Sequence, residues 1–129
     1  MHVLIISCLL SLPLLGQSAS FFEAIRMVES SGDDSAVGDG GAAIGPFQIH
    51  RAYWRDAVEF DRTLKGEYED CFRRDYAEKV VGAYLKRYAP KDASDEVLAR
   101  IHNGGPKGHL KTATRKYWVR VKAQIKAQK

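Results

Sequence analysis

Cysteine is nearly missing from this chain. Its 129 residues hold 2 cysteines, Cys8 and Cys71, too few for a framework of disulfides. The 4 histidines (His2, His50, His102 and His109) are scattered, and no spacing among them matches a zinc site. Proline is scarce, with 4 residues against 11 glycines, which excludes collagen-like repeats. No apolar run beyond Leu15 is long enough to span a bilayer. Acidic side chains are absent from Lys107 to Lys129, where eight lysines and arginines stand.

What is present is an ordinary globular balance, 45% hydrophobic and 28% charged, in a length that suits one domain with its own core. Val3 to Leu15 is nearly all aliphatic, and the small residues Gly16, Ser18, Ala19 and Ser20 follow it. That is the pattern of a secretory signal. Residues 1–20 are therefore expected to be a signal peptide. Residues 21–129 are expected to form one domain, secreted or periplasmic, and free of the membrane after cleavage. Cleavage removes Cys8 and leaves Cys71 as the only thiol, so packing without an internal disulfide must hold the domain. Residues 1–106 carry twelve basic and sixteen acidic side chains, hence −4, within a whole of +4. A basic C-terminal helix on an acidic body suits an anionic partner: a cell-wall polymer, a membrane surface or a nucleic acid.

The periodicity is mostly helical. Ser20-Phe21-Phe22-Glu23 has the form of a capping box, which predicts a helix from here to about Ser30, stopped by Gly32. Residues 36–49 are glycine-rich, and Asp39-Gly40 is a hairpin turn signal ahead of Phe47-Gln48-Ile49. A short helix is expected from His50 to Phe60. The clearest helix runs from Asp70 to Tyr88. There Phe72, Tyr76, Val80, Tyr84 and Tyr88 recur every four residues, backed by Ala77, Val81 and Leu85, so it should be the central buried one. Ser94 caps another helix that ends near His102, before Asn103-Gly104-Gly105-Pro106. A last helix spans Thr112 to about Gln124, with Trp118, Val121 and Ile125 inward.

Two carboxylates draw attention. Phe22, Ile25 and Glu29 are spaced i, i+3, i+7 and share one helix face, so Glu29 is an acid on an apolar stripe. Loss of hydration there favours the proton-bearing form, which can donate to a leaving oxygen. Asp39 lies among glycines in a loop, where a carboxylate stays hydrated and ionised. Glycoside hydrolysis commonly uses such a pair, one acid and one ionised partner. Asp39 is also plain turn chemistry, and Asp33 and Asp34 compete for the partner role.

These residues also carry a resemblance. Glu29-Ser30-Ser31-Gly32, then Gly45-Pro46-Phe47-Gln48-Ile49 and Tyr53-Trp54, resemble the core of the invertebrate-type (destabilase-like) lysozymes. Tyr84-Leu85-Lys86-Arg87-Tyr88, the run Ala99 to Pro106, and Tyr117-Trp118 follow in that family's order. A more distant likeness is to the soluble lytic transglycosylases. The resemblance implies a lysozyme-like α+β fold, mostly α, with about five helices and one small β-hairpin. It implies a glycosidase that cuts the β-1,4 bonds of peptidoglycan glycan strands as a monomer, without cofactor or metal. Glu29 matches the family's proton donor, and Asp39 most nearly matches its second carboxylate. Gln48, His50, Tyr53, Trp54, Tyr88, His102, Asn103 and Gly104 are the candidate sugar contacts.

The chain departs from that family's pattern as well. Its disulfide positions hold Asp33, Ala36 or Ile44, and the segment from Glu29 to Asp39 is short. If Asp39 does not face the anomeric carbon, a single-acid lytic transglycosylase forming an anhydro sugar becomes the alternative. A non-catalytic wall-binding module is the other. No Ser-His pair of the kind some relatives use on isopeptide bonds stands out, and no nucleic-acid motif accompanies the basic tail.

Overall fold

The computed structural model describes residues 18–129. The signal-peptide expectation, Cys8 included, therefore falls almost wholly outside the described residues. The cap of the first helix, α1 (Ala19–Ser30), lies two residues before the expected one, at Ser18 and not Ser20. Ser18 holds the extended N-cap conformation, and its Oγ accepts from the Phe21 N–H at 3.3 Å. Ser31 closes the helix in the left-handed region, donating its N–H to the Met27 carbonyl at 3.0 Å.

Three two-residue strands follow: β1 (Val37–Gly38), β2 (Ala43–Ile44) and β3 (Ile49–His50). They pair antiparallel in the order β1-β2-β3, with Val37 opposite Ile44 and Ala43 opposite His50. The expected hairpin thus carries a third strand, and its tight turn is Asp39–Gly41. Strands this short give no alternation to read.

Four more helices complete the fold: α2 (Arg51–Phe60), α3 (Arg74–Tyr88), α4 (Asp95–Gly104) and α5 (Arg115–Ala127). The helix expected from Asp70 begins only at Arg74. Asp70 turns back to accept the Glu67 N–H at 2.7 Å, which closes a separate 3-10 turn over Tyr68–Phe72 and leaves Arg73 extended. Ser94 caps α4 as read, its Oγ accepting from Val97 N–H at 3.3 Å. The last helix is preceded by a 3-10 turn at Thr112–Thr114. The architecture is α+β and mostly helical, as expected.

The core gathers Phe21 and Ile25 from α1, Phe47 and Ile49 from the sheet region, Val80, Val81 and Leu85 from α3, Ile101 from α4 and Val121 from α5. The central place read for α3 is correct: its buried residues are Tyr76, Ala77, Val80, Val81, Ala83, Tyr84 and Leu85. Trp118 packs against this core at its edge.

Apolar packing is not the only support of the loops, which polar side chains also brace. The Arg26 guanidinium donates to both Glu23 oxygens (2.9 and 2.6 Å) and, through Nη1, to the Gly32 carbonyl at 3.1 Å. The Gln48 amide donates to the carbonyls of Ala36 (3.2 Å) and Gly45 (3.0 Å). Buried Arg100 donates to Thr114 Oγ1 at 2.8 Å and to the Lys111 carbonyl at 2.9 Å, tying α4 to the segment before α5. Each brace ends on a backbone carbonyl; that of Gly32 takes its hydrogen bond from Arg26, while those of Ala36, Gly45 and Lys111 also accept a backbone N–H and gain a second donor.

The buried titratable groups make stability depend on alkaline pH. Burial, with the charges of Asp70 and Glu69 added, pushes the Cys71 thiol from 9.0 up to about 12. Burial, then Asp56, pushes the Tyr84 phenol from 10.0 up to about 12. Once unfolded, both groups release protons at lower pH than when folded. Stability is therefore full below pH 9.0, where the exposed thiol begins to titrate, and falls toward pH 12. Each group contributes a slope of about 1.4 kcal/mol per pH unit inside its window. Urea midpoints should fall between about pH 8 and about pH 11. Cys71→Ala should remove the earlier part of the fall. A flat profile would contradict this assignment.

Candidate active site

One cleft of about 590 Å³ collects side chains from the five helices and the sheet region. The end of α1 contributes Val28 and Glu29, and the sheet region contributes Asp39, Gln48 and His50. Helices α2 and α3 contribute Tyr53 and Tyr84, the end of α4 contributes His102, Asn103 and Gly105, and α5 contributes Arg120. The core positions the residues carried by the five helices, each of which buries side chains on its other face.

The two carboxylates occupy different surroundings. The Glu29 side chain is 17% exposed and the Asp39 side chain 70%. Glu29 sits in the last turn of α1, with His102 Nε2 at 3.8 Å from Oε2, beyond hydrogen-bond length. On the other side of His102, Nδ1 is 2.8 Å from the Tyr53 hydroxyl. Burial pushes the Tyr53 phenol well above its ordinary value, with Tyr84 adding to the effect, so the phenol keeps its proton and donates it. His102 then accepts at Nδ1, and in its neutral form its ring proton lies on Nε2, toward Glu29. Tyr53 is itself fixed by stacking on Tyr84, centroids 3.6 Å apart and planes 11° from parallel.

Tyr117 lies beneath this group. Its hydroxyl is buried without a well-aligned hydrogen-bond partner among the described residues. Burial and the neighbouring Glu29 carboxylate push its phenol well up, so it too is a proton-bearing donor beside that acid. Asp39 occupies the left-handed region (φ 50°) at the sheet turn, and its Oδ2 lies 2.9 Å from His50 Nε2 on the open side of the cleft. The basin thus has a sheltered carboxyl group at one place and a solvated carboxylate at another.

Gln48, His50, Tyr53, His102 and Asn103 line this cleft, while Trp54, Tyr88 and Gly104 do not. Neighbours on a helix point about 100° apart, so Trp54 turns away from the face of Tyr53. Its Nε1 donates to the Tyr76 hydroxyl at 3.0 Å. Tyr88 donates to Asp56 Oδ2 at 2.9 Å, and the Gly104 carbonyl accepts from Lys111 Nζ at 2.6 Å. The Gln48 amide is taken up by the two loop carbonyls already named. Asp33 binds its own turn through Ser35, and Asp34 faces Arg74 at 3.4 Å; neither lines the cleft.

Sequence reasoning missed Tyr117 and Arg120 as site residues. Tyr117 is next to Trp118 in an aromatic pair, and nothing local tells which of the two faces the acid. Arg120 lies on the polar side of α5, where cations are common. It donates to the Val28 carbonyl at 3.3 Å and makes no ion pair among the described residues.

The small three-stranded sheet set among five helices is a fold shared with solved lysozymes. The structure of Tapes japonica lysozyme superposes with a TM-score of 0.68 at 31% identity, over 81% of this chain and 87% of that one. A model of the Destabilase family matches residues 18–124, and the chain belongs to that family. The lysozyme of Ostrea edulis is 42% identical over 85 residues, covering 62% of this chain and 58% of that protein. Lysozyme 1 of Crassostrea virginica is 40% identical over 84 residues, covering 62% and 44%. The chain thus spans about half the length of these curated relatives. Among the described residues no helix is long and apolar enough to cross a membrane, and no group of metal-binding side chains is present.

Proposed function

We propose that this chain is a lysozyme-type glycosidase that cleaves the β-1,4 bond between N-acetylmuramic acid and N-acetylglucosamine in peptidoglycan. The observation that carries the reading is the pairing, in one cleft, of a carboxyl group 17% exposed with another 70% exposed. Glu29 gives its proton to the bridging oxygen, while His102 and Tyr117 present N–H and O–H groups that hold its carboxylate afterwards. Asp39 stabilises or traps the oxocarbenium centre, kept in place by His50. The exposed Asn103 amide suits an N-acetyl group. Arg120, a cation with free N–H groups at the rim, suits the carboxylates that muramic acid and its peptide carry. No cofactor enters this scheme. The aliphatic run Val3 to Leu15 and the wall substrate together support a secreted or periplasmic, antibacterial enzyme.

Mass spectrometry of the fragments released from purified peptidoglycan tests the reaction. Fragments ending in a reducing muramic acid are expected. Anhydro-muramic ends would replace hydrolysis by the single-acid transglycosylase route, which the exposed Asp39–His50 pair would then serve only as loop structure.

A further inference from the structure

A second groove, also of about 590 Å³, lies on the side of α3 roughly opposite Tyr84 and the cleft. Asp75, Lys79, Gly82 and Lys86 form a stripe of α3 along it, and the 61–65 segment and Arg73 complete its walls. Four cations therefore meet two acids. Lys65, Lys79 and Lys86 make no ion pair among the described residues. The Arg73 guanidinium lies 5.7 Å over the Tyr76 ring, and its nearest carboxylates are Asp70 at 3.8 Å and Asp75 at 4.0 Å. Of the two lining acids, Asp61 spends one oxygen on its own turn, accepting from Thr63 N–H and Oγ1.

Gly82 is the telling residue. It sits inside the central helix, where glycine weakens the helix relative to alanine. A Cβ built there would meet nothing within 4 Å, and its backbone is ordinary helix, so neither crowding nor conformation requires glycine. What glycine does provide is an open wall between Lys79 and Lys86.

We propose that this groove binds a phosphodiester-linked polyol or sugar polymer, held by Lys65, Lys79 and Lys86 with the chain lying against Gly82. Lysine ammonium groups act as point charges suited to phosphate oxygens, and the Arg73 fork in the same lining also matches phosphate. Lys79 and Lys86 stand about 10 Å apart along the helix, so they address successive charges on a chain better than one compact ion. Nucleic acid fits less well, because Tyr76 is buried and its ring carries Arg73, leaving no platform for a base. The site does not depend on the cleft, and binding here holds whether or not the cleft cleaves glycan.

The test is fluorescence anisotropy of labelled poly(glycerol phosphate) with the full chain. Saturable, salt-sensitive binding is expected, weakened about 10-fold by Lys79→Glu with Lys86→Glu. Gly82→Leu should weaken it comparably while raising the melting temperature, which separates a blocked groove from an unfolded protein. Lys122→Glu with Lys126→Glu, on the basic face of α5, should leave it within about twofold. Binding unchanged by Gly82→Leu, binding lost with the α5 pair instead, or equal competition by single-stranded DNA of the same charge would each overturn the proposal.

Discussion

Replacing Glu29 with glutamine is expected to slow clearing of a peptidoglycan suspension by about 10²- to 10⁴-fold, the usual contribution of a positioned general acid. Glutamine keeps the size and the hydrogen-bonding reach of the side chain but has no proton of suitable acidity to give. The variant should fold normally, because Glu29 is not part of the buried apolar core. Its melting temperature should accordingly stay close to that of the parent. Binding of the glycan should also survive, since the other groups lining the cleft are untouched. A folded variant that clears as fast as the parent would remove Glu29 from the mechanism. Parent and variant inert together would leave the cleft as a wall-binding surface only.

The second large effect falls on stability. Gly45 sits between β2 and the turn to β3 at φ 77°, and a Cβ there would collide with the carbonyl group of Cys71. Gly45→Ala adds about 1–2 kcal/mol for a left-handed alanine. It adds about 1–3 kcal/mol more for overpacking against a backbone that the 3-10 turn holds in place. A total loss of about 2–5 kcal/mol is therefore expected in urea unfolding. The loop over the cleft relies on close backbone approach and on the amide of Gln48, and Gly45 belongs to both. A loss below about 1 kcal/mol would show that the loop yields easily, and that the braces do not fix Asp39 and His50.

Much of the site could be read from the residues because it follows helix geometry. Phe22, Ile25 and Glu29 fall on one stripe, and that alone marks Glu29 as an acid turned inward. The four-residue repeat of α3 likewise marks the centre of the fold. The limits have physical causes too. Proximity in sequence groups Tyr53 with Trp54, yet adjacent residues on a helix do not share a face, and Trp54 instead bonds Tyr76. The choice of Ser18 over Ser20 as cap depends on which hydroxyl reaches the Phe21 N–H, which spacing alone does not decide. Tyr117 and Glu29 are neighbours only because α5 packs on α1, a tertiary relation with no local signature. Two-residue strands have no pattern from which a third could be inferred. The polar braces leave no sequence pattern for the same reason: Arg26, Gln48 and Arg100 act on carbonyls, which every residue has.

The central statement is that the sheltered carboxyl group on α1 meets the bridging oxygen of a bound glycan. A crystal structure of Glu29→Gln holding a peptidoglycan oligosaccharide reads this directly. The glycosidic oxygen should lie about 3 Å from the side chain at position 29, with Asp39 at the opposite face of the same sugar ring. Sugar units seated outside this cleft, or a bridging oxygen beyond reach of position 29, would contradict it.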